Sequence, residues 1–504
     1  MSAALAAAVL VLAAVLVGRR IQSAHHTLFV RWPPLFAVWD PHLGPGTPAA
    51  VLLAVAVVAL GPPLARRLPW RPLLAATWVT AMAWTWSLAL VDGWNRGVAT
   101  RLTATNEYLR VIGRFHDIPA TLRDFTHHIV EGSPAPWPAH IAGHPPAATL
   151  TFVLLDRAGL RGGGWAGAWC ITLGATACVA VLVAVRTLAG EDLARRAAPF
   201  LVAAPAAVWV GASADGWFAA AAAWSVALLA LAVAGRSRPG TRAAAAFGSG
   251  LLFGLTCYLS YGLTLFAVIG AGVVLLGRVR AGALLRGLPL LLAGLAVVPV
   301  LFSLAGFNWW EAYRLLVTRY YQGIGGIRPY GYWVWANLAC TVLITGPATA
   351  AGLFRAGTAT VRHRRGVLAW NTGPRPIPAS PDAGASPSPT SPDACPKTNP
   401  TTPDAGPKTN PTTPDAGRRT KPGPSPAGGP ATAEARLGLL VLCALLALLA
   451  ADVSGMSKAE TERIWLPFAM WLLPACALLT RPRGWLAAQT LLALLLNHLL
   501  LTGW

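Results

Sequence analysis

Two carboxylates in polar stretches are the first candidates for chemistry in this sequence. Glu107 lies in a long polar stretch, residues 92–143, and is followed by Tyr108. Asp215 stands in the turn SADGW between two apolar runs. Paired carboxylates could accept a proton from a hydroxyl group or hold a divalent cation such as Mg²⁺ or Mn²⁺. We predict that Glu107 and Asp215 form one catalytic or metal site, with an N-terminal helix cap as the alternative role of Asp215.

Two histidines, His140 and His144, occur in the stretch WPAHIAGHPPAATL. A spacing of four would place both rings on one helix face, where they could hold a metal. Gly143 and Pro145 interrupt such a helix, which argues against zinc. The Pro-Pro pair instead predicts an abrupt entry into the apolar run that follows. The two imidazoles would then lie at headgroup level and donate to a lipid phosphate, or be satisfied by water.

Three arginines in other polar stretches are candidates for binding the same phosphate. Arg319 and Arg328 lie in an aromatic-rich segment, residues 307–333, and Arg463 lies in SGMSKAETERIW. Arginine binds phosphate oxygens through two parallel N–H groups, which makes it suited to a lipid headgroup. The density of aromatic residues is equally typical of a belt at a membrane interface.

The composition is that of a membrane protein. Of the 504 residues, 55% are hydrophobic and only 12% are charged, whereas soluble domains have about 25% charged residues. The net charge of +21 comes from basic residues clustered at the ends of apolar runs, which is typical of cytoplasmic loops. No basic surface interleaved with aromatics is evident, which excludes nucleic acid as a partner.

The apolar runs predict an all-α, multi-pass protein of the cell membrane with about thirteen transmembrane helices. The arginine clusters alternate consistently if the N-terminus is cytoplasmic. Residues 144–160 would reverse this alternation if they crossed the membrane, so we predict a re-entrant or juxtamembrane segment there. The predicted spans are 3–18, 48–64, 73–91, 165–186, 197–213, 215–235, 243–259, 262–277, 285–305, 333–353, 437–451, 464–480 and 485–502.

A polar, proline-rich segment divides the chain. Residues 371–435 contain PDAG or PDAC at an 11-residue period, marked by Asp382, Asp393, Asp404 and Asp415. Such a segment has too little apolar surface to offset its ordering entropy, which predicts a disordered cytoplasmic linker. The linker separates a main membrane domain, residues 1–370 with an outer loop at 92–164, from C-terminal helices at 436–504.

The order of these features resembles the GT-C superfamily of integral membrane glycosyltransferases. It is similar, more narrowly, to actinobacterial proteins related to protein O-mannosyltransferases and aminoarabinose transferases. The resemblance lies in the outer loop with Glu107, the H-x-x-x-H-P-P element ending at Pro146, the turn with Asp215, and the stretch ERIWLPF with Arg463. It implies an inverting transfer of a sugar from a polyprenyl-phosphate donor to an acceptor of the cell envelope outside the cytoplasm.

The resemblance also implies that an acid of the first outer loop is the general base. Members usually have an Asp-Glu pair there, whereas this chain has Asn106 and Glu107. The base would therefore be Glu107 or Asp92. A catalytically silent protein is one alternative, and a transporter or flippase of a lipid-linked substrate is another. Transporters usually contain internal repeats and polar residues within their spans. The predicted spans show no internal repeat, and their ionisable residues lie at the span edges, which favours an enzyme at the membrane surface.

Overall fold

The computed structural model describes residues 2–234, 238–277, 281–372 and 430–503, and these residues are mostly helical. The helices of the first half are α1 Ser2–His25, α2 Thr47–Arg67, α3 Trp70–Ala89, α4 Ile118–Asp124, α5 Ala139–Ala142, α6 Ala147–Arg157, α7 Gly163–Gly174, α8 Thr176–Ala189, α9 Glu191–Val202, α10 Ala207–Val210 and α11 Ala214–Ala234. Those of the second half are α12 Pro239–Leu259, α13 Phe266–Leu276, α14 Ala281–Leu304, α15 Trp309–Gln322, α16 Ile324–Ile327, α17 Tyr330–Thr345, α18 Pro347–Thr372, α19 Pro430–Val453, α20 Thr461–Ile464, α21 Leu466–Leu472 and α22 Pro482–Leu499.

Eight helical segments of the described ranges are long and apolar enough to cross a membrane. They confirm an all-α protein and indicate several membrane passes, while the predicted number of about thirteen is not confirmed. A bent pair, α17 with the first part of α18, would be a ninth span. The eight are Ser2–His25, Thr47–Arg67, Trp70–Asp92, Gly163–Ala189, Ala214–Ala234, Pro239–Leu259, Gly287–Leu304 and Thr432–Val453.

Several predicted spans differ from the helices that the chain forms. The stretch predicted as the span 333–353 is bent by 107° where α17 meets α18. Pro347 has no N–H to continue α17, and Gly346 adopts a φ of 81°, which glycine tolerates. The stretches 197–213, 262–277, 464–480 and 485–502 fall on elements that are shorter or less apolar than the eight segments.

The segment predicted to be re-entrant or juxtamembrane contains α6. This helix has 11 residues, too few at about 1.5 Å per residue to cross a hydrocarbon core of about 30 Å. Most of the predicted linker, residues 373–429, lies outside the described residues. The flanking helices α18 and α19 extend a few residues into the range predicted for it.

Small residues set the packing around α11, the helix that carries Asp215. This helix is rich in alanine, with Ala219 to Ala223 all buried, and it packs against α7, α8, α12, α13 and α21. Next to it, α12 and α14 approach so closely that a Cβ at Gly250 or Gly294 would overlap the backbone of the other helix. Such small-residue interfaces are typical of helix pairs in membranes.

Two short strands connect the beginning of the chain to its end. β1 (Ala37–Trp39) pairs antiparallel with β2 (Leu500–Thr502), with Ala37 opposite Thr502. The amide of Asp40 donates to the carbonyl oxygen of Leu499 at 3.0 Å and extends this connection. The end of α22 is thereby held against the segment that leads into α2.

Candidate functional site

Four buried polar side chains form a continuous chain of contacts, which we call the polar cluster. His140 Nδ1 lies 2.9 Å from Glu107 Oε1, and His140 Nε2 lies 3.3 Å from Arg463 Nη2. Arg463 Nη1 lies 3.0 Å from Asp215 Oδ2. Each of the four residues is at most 9% exposed. Residues from four distant parts of the sequence are therefore joined at one place.

The loop that carries Glu107 is held next to His140 by backbone contacts. The amide of His140, in the four-residue helix α5, donates to the carbonyl oxygen of Asn106 at 3.4 Å. The buried Trp137 supports this arrangement: its Nε1 donates to the carbonyl oxygen of Phe125 at 2.9 Å. The guanidinium of Arg114 lies 3.4 Å from the centre of the same indole ring, a cation–π contact.

Asp215 lies in the first turn of α11 and does not cap that helix. Ser213, just before the helix, accepts a hydrogen bond from the Asp215 amide at 3.2 Å and so provides the cap. The Ser213 hydroxyl also donates to Asp215 Oδ2 at 3.3 Å. The carboxylate of Asp215 is thus oriented towards Arg463, and the predicted alternative of a helix cap is wrong.

Arg463 is presented by the short helix α20, after two residues of positive φ, Ala459 (72°) and Glu460 (61°). The neighbouring Glu462 contacts a different part of the chain, because its Oε1 accepts from the amide of Phe36 at 2.8 Å. Glu462 is fully buried, and burial raises its pKa to about 7. The two adjacent side chains therefore tie α20 to both the polar cluster and the segment before β1.

The contacts fix the positions of the protons in the cluster. A guanidinium has only donors, so His140 Nε2 must accept from Arg463. The proton of a neutral His140 is then on Nδ1, from which it is donated to Glu107 Oε1. The second carboxylate oxygen of Glu107, Oε2, is buried and has no hydrogen-bond partner among the described residues. Leaving a buried acceptor without a donor costs about 1–3 kcal/mol of stability. A ligand that donates a hydrogen bond to Oε2 would recover this free energy.

The charges of the cluster support one another. Burial alone would raise the pKa of Glu107, but the hydrogen bond from His140 and the charge of Arg463 help to lower it below the ordinary value. Burial alone would lower the pKa of Arg463, yet the carboxylates of Asp215 and Glu107 raise it. The carboxylate of Glu107 and the guanidinium of Arg463 are thus ionised near pH 7.

Tyr108 and His144 lie beside the cluster. The ring centre of Tyr108 is 6.5 Å from that of His140 and 6.0 Å from that of His144. The Tyr108 hydroxyl is buried and has no hydrogen-bond partner in the part of the chain that the structure describes, and burial raises its pKa well above the ordinary value. His144 Nδ1 donates to the carbonyl oxygen of His140 at 2.7 Å. Burial lowers the pKa of His144 to about 4, so its ring is neutral at pH 7.

Both histidines predicted to bind phosphate are in this region, but their N–H groups are committed within the protein. His140 donates from Nδ1 to Glu107, and His144 donates from Nδ1 to a backbone carbonyl. A neutral imidazole has a single N–H, so neither ring retains a donor for a phosphate. Phosphate binding by His140 and His144 stays a prediction that this geometry does not favour.

The other predicted site residues lie outside the cluster. Asp92 contacts His42 Nε2 at 2.8 Å and Arg101 Nη2 at 2.7 Å. Arg319 Nη1 lies 2.8 Å from Glu131, in the loop 92–164. Arg328 is buried, donating to the carbonyl oxygens of Leu28 and Lys458 and to Glu460. The structure therefore joins four of the eight predicted site residues directly and places a fifth, His144, beside them.

The cluster does not fit a cation shared by Glu107 and Asp215. Arg463 bonds Asp215 directly and lies close enough to affect Glu107, so a guanidinium already occupies the position of positive charge. Across the described ranges, no group of three or more His, Cys, Asp or Glu side chains is arranged to hold a metal. A divalent cation stays a prediction from the sequence, and no step below depends on it.

Two residues of the site were not predicted from the sequence as part of it. Tyr108 follows Glu107 directly in the sequence, but its burial beside two histidines depends on contacts with distant residues such as Phe152. Ser213 precedes Asp215 by two residues, and the pattern Ser-x-Asp before an apolar run could have indicated which of the two is the cap.

No family model, curated protein or solved structure matches this chain. A function is therefore proposed from the sequence pattern together with the chemistry of the cluster.

Proposed function

We propose that the protein is a membrane glycosyltransferase that moves a sugar from a polyprenyl-phosphate donor to an acceptor of the cell envelope outside the cytoplasm. The choice of sugar transfer rests on the resemblance of the sequence to the GT-C superfamily. The observation that carries the proposal is the buried carboxylate of Glu107. Its Oε1 is held by His140, whereas its Oε2 has no hydrogen-bond partner among the described residues.

The positions of Asn106 and Glu107 support an active enzyme over a silent one. Asn106 is exposed and contributes its backbone carbonyl to the cluster, whereas Glu107 is buried in it. The amide at position 106 therefore does not occupy the position of the base. An acid at 106 would point to solvent, so its absence costs the proposed reaction nothing.

The proposed step is a single displacement at C1 of the donor sugar. The acceptor hydroxyl oxygen forms a bond to C1, and the bond between C1 and the phosphate oxygen breaks with its electron pair leaving on polyprenyl phosphate. The hydroxyl proton passes to Glu107 Oε2. A base with a lowered pKa is ionised before the reaction, and general-base assistance is typically worth about 10²–10⁴ in rate.

Arg463, His140 and Asp215 position the base. Arg463 donates to His140, which donates to Glu107, so the carboxylate is held by a hydrogen-bonded chain that ends at Asp215. Such a supporting chain keeps the free oxygen in one orientation. Asp215, which was predicted to act as a second acid or a metal ligand, is thereby proposed as the residue that fixes Arg463.

We further propose that the N-terminus and the linker are cytoplasmic and that the loop 92–164 is outside. The arginines at the end of α2 and the start of α3, Arg66, Arg67 and Arg71, lie at the far ends of these helices from Asp92. This arrangement supports the orientation, because clusters of basic residues remain on the cytoplasmic side.

Mass analysis of cell-envelope glycans tests the proposal. A deletion strain is expected to lose one sugar modification, which the wild-type gene restores and a Glu107→Gln variant does not. An unchanged glycan profile would contradict the proposal. Restoration by Glu107→Gln at normal expression would also contradict it and would favour the alternative of a transporter of the lipid-linked sugar.

A further inference from the structure

Three atoms around the polar cluster have hydrogen-bonding capacity that the described residues leave open. Glu107 Oε2, a pure acceptor, and the Tyr108 hydroxyl, which can donate and accept, are buried without a partner among these residues. The third atom is His144 Nε2, on the ring whose Nδ1 donates to the carbonyl oxygen of His140. Because His144 donates from Nδ1 and is neutral, its Nε2 offers a lone pair and no proton. Two of the three atoms can only accept hydrogen bonds, so a ligand that binds here must supply hydrogen-bond donors.

The charge of this set excludes an anion as the preferred ligand. Glu107 is ionised because its pKa is lowered, and the nearby cation, Arg463, is already paired with Asp215 at 3.0 Å. A phosphate would therefore meet the carboxylate of Glu107, and of the three atoms only the Tyr108 hydroxyl could donate to it. Like charges in a region shielded from water repel strongly.

We infer that Glu107 Oε2, Tyr108 and His144 form a subsite for neutral, hydroxyl-bearing groups of a sugar or polyol, separate from the place where the donor phosphate binds. A hydroxyl donates one proton and accepts others, so one hydroxyl can serve Glu107 while a neighbouring one donates to His144 and accepts from Tyr108. The inference rests on the proposed function, since it names the class of group that the site receives. In this subsite His144 orients hydroxyl groups and does not bind a phosphate.

Any buried tyrosine can affect the protein when its hydroxyl is removed, so an effect at Tyr108 needs a control at a buried tyrosine outside the subsite. The chain offers a matched control in Tyr261, whose hydroxyl is also buried without a partner among the described residues but whose ring lies against Trp309 and Tyr313. Removing either hydroxyl deletes the same atom from a buried ring. A difference between the two variants in ligand binding therefore reports on the subsite.

Binding without donor lipid provides the test. The full-length protein in nanodiscs would be titrated with methyl hexosides and methyl pentosides as neutral probes, glucosamine as a cation and glucose 6-phosphate as an anion. Saturation-transfer NMR detects millimolar binding. We expect a neutral glycoside to bind more tightly than either charged probe. Glu107→Gln and Tyr108→Phe should each weaken it by about 10-fold or more, as expected for a lost hydrogen bond to a charged or buried group, while Tyr261→Phe should bind as the wild type does.

Four results would overturn the inference: tightest binding of glucose 6-phosphate, tightest binding of glucosamine, no binding of any neutral probe, or wild-type binding by Tyr108→Phe. These results are separate from failure of the proposed function. If neutral glycosides bind as expected and no donor lipid supports transfer, the subsite stands and the transferase does not. If transfer occurs and depends on Glu107 but neutral probes do not bind, the subsite alone is refuted.

Discussion

At the scale of single residues, the ion pair between Arg463 and Asp215 is the buried salt bridge of the site that lies farthest from Glu107 along the chain of contacts. Both side chains are buried, and their atoms lie 3.0 Å apart. A buried charge that loses its partner cannot be rehydrated, so the cost of breaking such a pair exceeds what forming it contributes. The pair therefore links the stability of the protein to the geometry of Glu107.

Asp215→Asn should lower the free energy of unfolding by about 3–5 kcal/mol because it leaves the Arg463 charge without its nearest carboxylate. Thermal unfolding in one detergent would measure this loss. The matched control is Asp192→Asn, since Asp192 is exposed and lies 3.8 Å from Arg196; exposed pairs contribute about 0–1 kcal/mol. Equal unfolding temperatures for the two variants would show that the buried pair is not a structural contact.

The lowered pKa of His144 predicts a pH dependence of stability. The imidazole has its ordinary pKa of 6.5 in the unfolded chain and about 4 in the folded one. Between these values the unfolded state binds more protons, so the stability is complete above pH 6.5 and decreases as the pH falls towards 4. His144→Asn retains a donor for the His140 carbonyl and should have a shallower decrease between pH 6.5 and 4.5. An unchanged slope in unfolding temperature against pH would contradict the burial of this ring.

The residues of the polar cluster could be predicted from their type and from their position in loops between apolar runs. Glu107, Asp215, His140 and Arg463 could be chosen because polar residues between apolar runs are few and these carry suitable chemistry. Their connectivity could not be predicted, since it depends on backbone contacts such as that from His140 to Asn106. Arg328 was chosen by the same criteria and binds backbone carbonyls, which arginine type and spacing do not reveal.

At the scale of elements, Arg328 holds the segment that presents Arg463. It connects α16 to Leu28 and to Lys458 and Glu460, immediately before α20. Its role is thus to fix the entry into α20, since it is 5% exposed and surrounded by protein acceptors. The predicted role in phosphate binding does not agree with these contacts.

Arg328→Met should destabilise the protein by about 3–5 kcal/mol and increase hydrogen exchange in residues 458–464, because it leaves a carboxylate and two carbonyls without their donor. Arg319→Met is the control, since its partner Glu131 is exposed and such a pair contributes about 0–1 kcal/mol. Similar exchange in both variants would contradict the structural role of Arg328.

The elements show why apolar length alone does not give the number of membrane spans. Periodicity and hydropathy identified every long apolar helix, including α11 and α19, because burial in lipid requires continuous apolar sequence. The bend at Gly346 and the short helices near 197–213 and 464–480 depend on proline, glycine and packing against other helices. A hydropathy window averages over local sequence and therefore cannot predict these effects.

At the scale of the whole molecule, the orientation in the membrane determines which side the polar cluster faces. The predicted linker contains Cys395, and the cysteines of the described ranges are buried or half-buried. An impermeant thiol reagent should therefore leave Cys395 unlabelled in intact cells and label it after the membrane is opened. Labelling of Cys395 in intact cells, absent in Cys395→Ser, would reverse the proposed orientation.

The function depends most directly on Glu107, and its test is transfer by the purified protein. With polyprenyl-phosphate sugars in liposomes, the wild type is expected to transfer sugar to a glycoside acceptor. Glu107→Gln should transfer about 10²–10⁴-fold more slowly, and the control Asn106→Asp, at an exposed position, should keep the wild-type rate or exceed it. The rate of Glu107→Gln relative to the wild type is the deciding measurement. A reduction of at least about 100-fold in a folded variant is the predicted result, and full activity of Glu107→Gln would contradict the assignment of the site.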